Sequence, residues 1–285
     1  MNFKFKALMT AALLSIAATS ANAAIEQSPE GELLGSNSEF FFSAWDDVAG
    51  VGYTLDLNWD KYLNDIVGAD TSANAAGNAS LLAQATVGAS LIGANGVIYD
   101  SALTGFNLGT SSNVQWNLAS YDSSGRNRLL VTRDVTDATV VSNSNLKTGV
   151  TIMNTYSLDN NALAASSASD TYALSVAADL SAYAGNNGAN YTNRLYDTTN
   201  ALGTASNLYY LAQTSQSSSL GNTAALQQVL KSYDNRVVTA STYLSSTDNQ
   251  WHLQLAVAAV PEPETYAMLI AGLGLMGFSA RRRSN

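Results

Sequence analysis

The chain contains no cysteine, which removes disulfide scaffolds, thiolate metal sites and cysteine nucleophiles from consideration. It contains a single histidine, His252, so a multi-histidine metal centre is excluded as well. Charge is scarce: Asp, Glu, Lys and Arg make up 12% of the 285 residues, about half the share of an ordinary soluble domain. Basic residues are outnumbered 13 to 22, for a net charge of −9. A nucleic-acid partner needs a clustered basic footprint to meet its phosphates, so that class of partner is excluded. Proline is nearly absent, with Pro29, Pro261 and Pro263 the whole complement. Turns in the intervening body therefore fall to glycine and asparagine, at Gly50, Gly52, Asn95-Gly96, Ser124-Gly125 and Asn187-Gly188. What is present is apolar: hydrophobic residues form 46% and aromatic residues 9% of the chain, enough for a packed core. No repeat of about 20–50 residues is visible, which disfavours a solenoid.

Both ends carry export patterning. Residues 1–23 read as a secretory signal peptide. Lys4 and Lys6 start it, Ala7 to Ala18 is a short apolar stretch, and Ala21-Asn22-Ala23 supplies the small-x-small cleavage site through Ala21 and Ala23. At the other end Pro261-Glu262-Pro263 is followed by an apolar segment, 266–280, and then by Arg281, Arg282 and Arg283. Proline at both positions stiffens the linker, and the arginines form a cytoplasmic stop. A helix of that length spans about 22 Å, short of a hydrocarbon core of about 30 Å. Such a segment suits a transient hold on the inner membrane better than a permanent span. Gly272 to Gly277 fits G-x-G-x-x-G, but no strand precedes it and no long helix follows. Its glycines read instead as a small-residue face for a partner helix.

This tail closely resembles the PEP-CTERM sorting signal of Gram-negative bacteria. The resemblance covers about 26 residues and rests on Pro261, Glu262 and Pro263, the glycine-bearing segment from Leu269 to Phe278, and the arginine cluster. It implies processing near the Pro-Glu-Pro by an exosortase, a membrane transpeptidase-like protease. Tagged proteins are associated with exopolysaccharide, biofilm and the outer surface. The expected organisation is a signal peptide at 1–23, an exported domain at 24–259 and a sorting or anchor segment at 260–285. The exported domain would keep eight basic and 20 acidic residues, a net charge near −12.

Within the body, Glu39 to Trp45 is aromatic and dense, and Val51, Tyr53, Leu55 and Leu57 alternate with Gly52, Thr54 and Asp56, which predicts a hairpin with Asp46 to Gly50 as its turn. Val114-Trp116-Leu118 and Leu129 to Thr132 form a second pair around a turn at 122–125. Asn207 to Gln213 and Trp251 to Val257 read as further strands. Helical spacing appears at Asp60 to Val67, Ser144 to Leu163 and Asn222 to Tyr233, the last grouping Leu226, Val229 and Leu230. The fold expected is mainly β, a β-sandwich-like domain with helical insertions; an α+β fold is the alternative.

No catalytic constellation emerges. Asp56-Leu57-Asn58-Trp59-Asp60 has the opening spacing of a calcium loop, but Lys61 and Val67 stand where glycine and glutamate are needed. Asp46-Asp47 reads as a solvated turn. Trp45, Trp59, Trp116 and Trp251 read as core more readily than as a sugar platform, and no acid pair is joined to them. His252 alternates with Trp251 and Leu253, so it is expected to point outward with Gln254 and to stand idle. Arg126, Arg128 and Arg133 form a small basic cluster, read either as a solvated edge or as a contact for acidic polysaccharide. The sequence thus predicts a non-enzymatic exported surface or matrix protein, with no cofactor and no metal. Its expected partners are an exosortase and exopolysaccharide. A carbohydrate-binding module and a polysaccharide hydrolase are the alternatives.

Overall fold

The computed structural model describes residues 25, 38–57, 59, 61–68, 85–110, 112–123, 126–133, 139–166, 172–186, 194–196, 198–214, 223–258 and 273. The domain is mainly β: one antiparallel sheet curls into a half-barrel, with few helices. Its strands are β1 (Phe41–Asp46), β2 (Val51–Asp56), β4 (Val97–Ala102), β5 (Val114–Asp122), β6 (Arg128–Arg133), β7 (Tyr172–Val176), β9 (Ala205–Ala212), β12 (Val238–Leu244) and β13 (Trp251–Val257), in the order β4-β13-β12-β9-β6-β5-β1-β2-β7. Short β8 (Asn200–Ala201) and β10 (Leu226–Val229) pair with β5 and β9, while β3 (Thr86–Val87) and β11 (Lys231–Ser232) form a separate parallel pair.

The two expected hairpins are present. β1 and β2 pair from Phe41↔Asp56 to Asp46↔Val51. Their turn closes because Gly50 takes φ +66, a left-handed value that glycine adopts without steric penalty. Asp46 Oδ1 also accepts the backbone N–H groups of Val48 and Ala49, at 2.9 and 3.0 Å. β5 and β6 pair from Ala119↔Val131 to Asp122↔Arg128.

Alternation sorts each strand's side chains onto two faces. The inner face gathers Phe42, Tyr53, Leu55, Trp116, Leu118, Leu130, Tyr210, Leu253 and Leu255 into one buried cluster. The curl brings opposite sides of the sheet together across it. Tyr99 on β4 donates to the Leu57 carbonyl at 3.0 Å, and Tyr53 on β2 donates to the Thr104 carbonyl at 2.6 Å, just beyond β4. The packing is sandwich-like, but one continuous sheet supplies both halves because β9 pairs with both β6 and β12. Open sheets of more than about ten strands curl for the same twist-driven reason.

The outer face is covered by the long helix expected near 144–163. We label the short helix Leu63–Val67 α1 and the long one, Asn143–Ser166, α2. Ser142 Oγ caps α2 by accepting the Asn145 N–H at 3.1 Å. Leu146, Val150, Met153, Ser157, Asn160 and Ala164 form its buried stripe at helical spacing. The half-buried Thr148 and the exposed Thr151 and Thr155 return their hydroxyls to carbonyls one turn back, at 3.0–3.2 Å. Beneath the helix Phe41, Trp45, Tyr121, Leu129 and Val131 complete a second core.

One expected helix is not there. The segment 222–233 carries β10 and β11 instead, because β9 offers its edge to Leu226–Val229, from Leu226↔Ala212 to Val229↔Tyr209. A short amphipathic run takes the structure its partner can hydrogen-bond, and that tertiary term outweighs spacing.

Candidate functional site

The exported body ends in an interior strand. β13 lies between β4 and β12, and Ala258 is held past its end: its N–H donates to the Val237 carbonyl at 3.2 Å, and its carbonyl accepts from Arg236 at 2.9 Å. The expected processing residues, Pro261, Glu262, Pro263, Arg281, Arg282 and Arg283, lie outside the described residues, as do Ala21 and Ala23. Among the described residues no helix is long and apolar enough to cross a membrane. Of the apolar segment 266–280, only Leu273 is described.

The sequence-selected body residues are distributed rather than gathered. Asp46 serves its own turn, and Asp56 is buried at the end of β2. Asn58 and Asp60, the rest of the calcium-like spacing, are outside the described residues. Among the described residues no group of three or more His, Asp or Glu side chains is arranged to hold a metal ion. Trp45 and Trp116 are fully buried, and Trp59 and Trp251 pack half-buried against the inner core.

The arginine cluster corrects both readings of it. Arg126, Arg128 and Arg133 are all 0% exposed, so they form neither a solvated edge nor a surface for polysaccharide. β6 is an interior strand between β5 and β9, and its arginines are enclosed by their neighbours. Arg128 forms an ion pair with Asp122 at 2.5 Å and donates to the Gly68 carbonyl at 2.8 Å and to Asn64, which ties down α1. Burial works against its charge, but Tyr210 and Asp122 beside it hold its pKa above the ordinary arginine value. Arg133 donates to the carbonyls of Tyr196 and Thr139 and lies over the Tyr209 ring, 5.4 Å from its centroid.

Hydroxyl groups link α2 to the sheet. The Tyr156 hydroxyl donates to Ser43 Oγ at 3.0 Å and is hydrogen-bonded to Thr54 as well. Burial pushes its pKa up to about 12, so it stays a neutral donor. Tyr156→Phe is expected to lower stability by about 1–2 kcal/mol, the usual cost of leaving buried partners without their bond; urea unfolding measures it.

Among the described residues, a cluster of titratable side chains on β13 has His252 at its centre. As alternation predicts, His252 and Gln254 leave the inner face to Leu253 and Leu255. The histidine is not idle, however, which corrects the expectation. Its Nδ1 lies 3.1 Å from Asp100 Oδ1 on β4, and its Nε2 lies 2.9 Å from Asp248 Oδ2 in the β12–β13 turn. Asp100 also accepts from the Tyr243 hydroxyl at 2.9 and 3.0 Å and from Gln254 Nε2 at 2.6 Å. The Tyr243 and His252 rings sit 5.2 Å apart at 33°. Partial burial works to lower the histidine pKa, but hydrogen bonding to Asp248 and Asp100 raises it above the ordinary value. Bonds from His252 and the Gln250 N–H bring Asp248 down to about 2, whereas burial and Asp100 push Tyr243 up to about 12. Asp100 has no local signature in the sequence, being separated from His252 by 152 positions, whereas Asp248 is only four residues away.

Chemically the cluster is a charged cross-strand tie. Both carboxylates are engaged: Asp100 by Tyr243, Gln254 and His252, and Asp248 by His252, the Gln250 N–H and the Ser245 hydroxyl. Among known proteins, the family model of the PEP-CTERM protein-sorting motif matches residues 259–283. No curated protein and no solved structure matches the chain. The motif begins within two residues of Val257, the end of the last strand among the described residues. A folded β half-barrel is thus followed directly by a PEP-CTERM sorting signal, which marks an exported protein that an exosortase processes for the cell surface or the extracellular space.

Proposed function

We propose that this protein is a non-catalytic component of the bacterial surface or of an exopolysaccharide matrix, released from the inner membrane by an exosortase acting near Pro261-Glu262-Pro263. The sorting motif at 259–283 carries this reading. Supporting it is the use made of the body's polar groups: Asp122 and Arg128 neutralise each other in the interior, Asp46 caps a turn, and His252 joins strands. A surface low in charge and rich in Ser, Thr and Asn offers hydroxyl and amide contacts to a hydrated polymer. The net negative charge of the body would repel an acidic polymer unless cations bridged the two.

Intact-mass measurement on protein from the cell surface and medium tests the processing step. A chain beginning at Ala24 and ending near Pro261 is the expected result. Replacing Pro261, Glu262 and Pro263 together by alanine is expected to leave nearly all of the chain ending at Asn285, associated with membranes. A wild-type surface protein still ending at Asn285 overturns the processing. The matrix role is tested by co-sedimentation with the cell's own exopolysaccharide, and turnover of that polymer by the purified protein would overturn the non-catalytic assignment.

A further inference from the structure

The His252 cluster joins three strands and a turn at one side of the half-barrel. Among the described residues β4 is the terminal strand in the sheet order and pairs with β13 alone. It contributes Asp100; β13 contributes His252 and Gln254; β12 contributes Tyr243; the β12–β13 turn contributes Asp248. Asp100, Tyr243 and Asp248 are the titratable groups around the imidazole among the described residues.

Both ring nitrogens meet a carboxylate oxygen at hydrogen-bond distance, 3.1 Å on one side and 2.9 Å on the other. A neutral imidazole has one N–H and one lone pair. In that form it can donate to Asp100 or to Asp248, and whichever it does not serve faces the ring lone pair across a repulsive contact. Only the imidazolium donates to both. The ring is 17% exposed and its partners Asp100 and Asp248 are 29% and 38% exposed, so water takes over part of the lost bond and the clasp has a modest effect on stability. The adjacent Tyr243 ring also favours a cation over a neutral imidazole.

We infer that His252 is a pH-dependent clasp: as an imidazolium it fastens the edge strand β4 and the β12–β13 turn to β13, and on losing its proton it releases one of the two. The direction follows from the pKa shifts. A histidine whose folded pKa is raised contributes its stabilisation in full below the unfolded value, about 6.5, and loses it as pH rises through the folded value. Asp248, held down to about 2, keeps its charge until the medium is strongly acidic. The clasp is therefore closed in mildly acidic surroundings and opens in alkaline ones. An exported protein experiences such changes without a cytoplasmic buffer around it.

The single histidine makes the test direct, because its ring resonances need no assignment. In the full chain labelled with nitrogen-15 in the histidine ring, the titration midpoint is expected above about 6.5, with both nitrogens protonated below it. Asp248→Asn is expected to move that midpoint down. Melting temperature should fall by about 1–3 °C between about pH 6 and about pH 9, and His252→Gln should abolish that component of the fall. A midpoint at or below the ordinary histidine value overturns the clasp. So does an equal alkaline fall in wild type and His252→Gln, which reads the same protein without depending on the NMR result.

Discussion

Replacing Asp122 by alanine is expected to destabilise the protein by about 3–5 kcal/mol, a large part of the roughly 5–15 kcal/mol that holds an ordinary domain together. The reason is what the substitution leaves behind. Arg128 has a side chain 0% exposed and its partner Asp122 is 1% exposed, with the ion pair closed at 2.5 Å. Without the carboxylate a guanidinium stays in the interior, held by the Gly68 carbonyl, Asn64 and Tyr210 but with its neutralising charge gone. Removing both charges together behaves differently, because two well-packed apolar groups carry no such desolvation debt. Asp122→Ala with Arg128→Met should therefore recover much of the loss. Urea midpoints of the two single variants and the double variant form the required cycle. If Asp122→Ala costs less than about 1 kcal/mol, the pair behaves like a surface salt bridge and its structural role is wrong.

Trp116→Ala carries the second large effect, about 3–5 kcal/mol, through the cavity left by a large core side chain. Trp116 is 0% exposed, stacks on Phe42 with ring centroids 5.8 Å apart, and donates its indole N–H to the Ala201 carbonyl at 2.8 Å. Trp251, half-buried against the same core, should cost less when truncated, about 1–2 kcal/mol. The pair also separates two roles for tryptophan. If Trp116 were a sugar platform, the alanine variant would keep its melting temperature and lose polymer retention. Because it is core, stability falls first, and retention is lost only when the domain unfolds.

Local chemistry explains which parts of this fold can be read directly. The β1–β2 and β5–β6 hairpins announce themselves through an alternating strand beside a dense apolar one across a short polar turn, and α2 through a buried stripe of regular spacing. β13 is legible because Leu253, Leu255 and Val257 alternate against His252, Gln254 and Ala256. Segment 226–232 is not, because Leu226, Val229 and Leu230 suit a helix as well as a strand and the edge of β9 decides between them. The buried arginines mislead for a related reason: Asp122 lies six residues before Arg128, but only the enclosure of β6 by β9 turns that neighbourly pair into an interior one. The His252 network is only partly local. Asp248 lies four residues before His252 in the adjoining turn, but Asp100 and Tyr243 come from β4 and β12, and strand order brings them to the ring. By contrast, the C-terminal motif is contiguous and can be read from the residues alone.

The position of β13 has a consequence for the order in which the molecule assembles. β4 has been synthesised by residue 102, but its pairing partner spans Trp251–Val257, and Val97 meets Ala256. Contacts this distant in sequence are late and slow, because a long loop must close before they form. Until the final strand arrives, β4 has no sheet to join and the half-barrel lacks one side. The segment that completes the domain is immediately followed by the one that marks it for processing, so an export intermediate interrupted before residue 251 would lack both a finished sheet and a sorting signal. By chain order alone, a chain that presents its tag has already delivered β13, the strand that β4 needs.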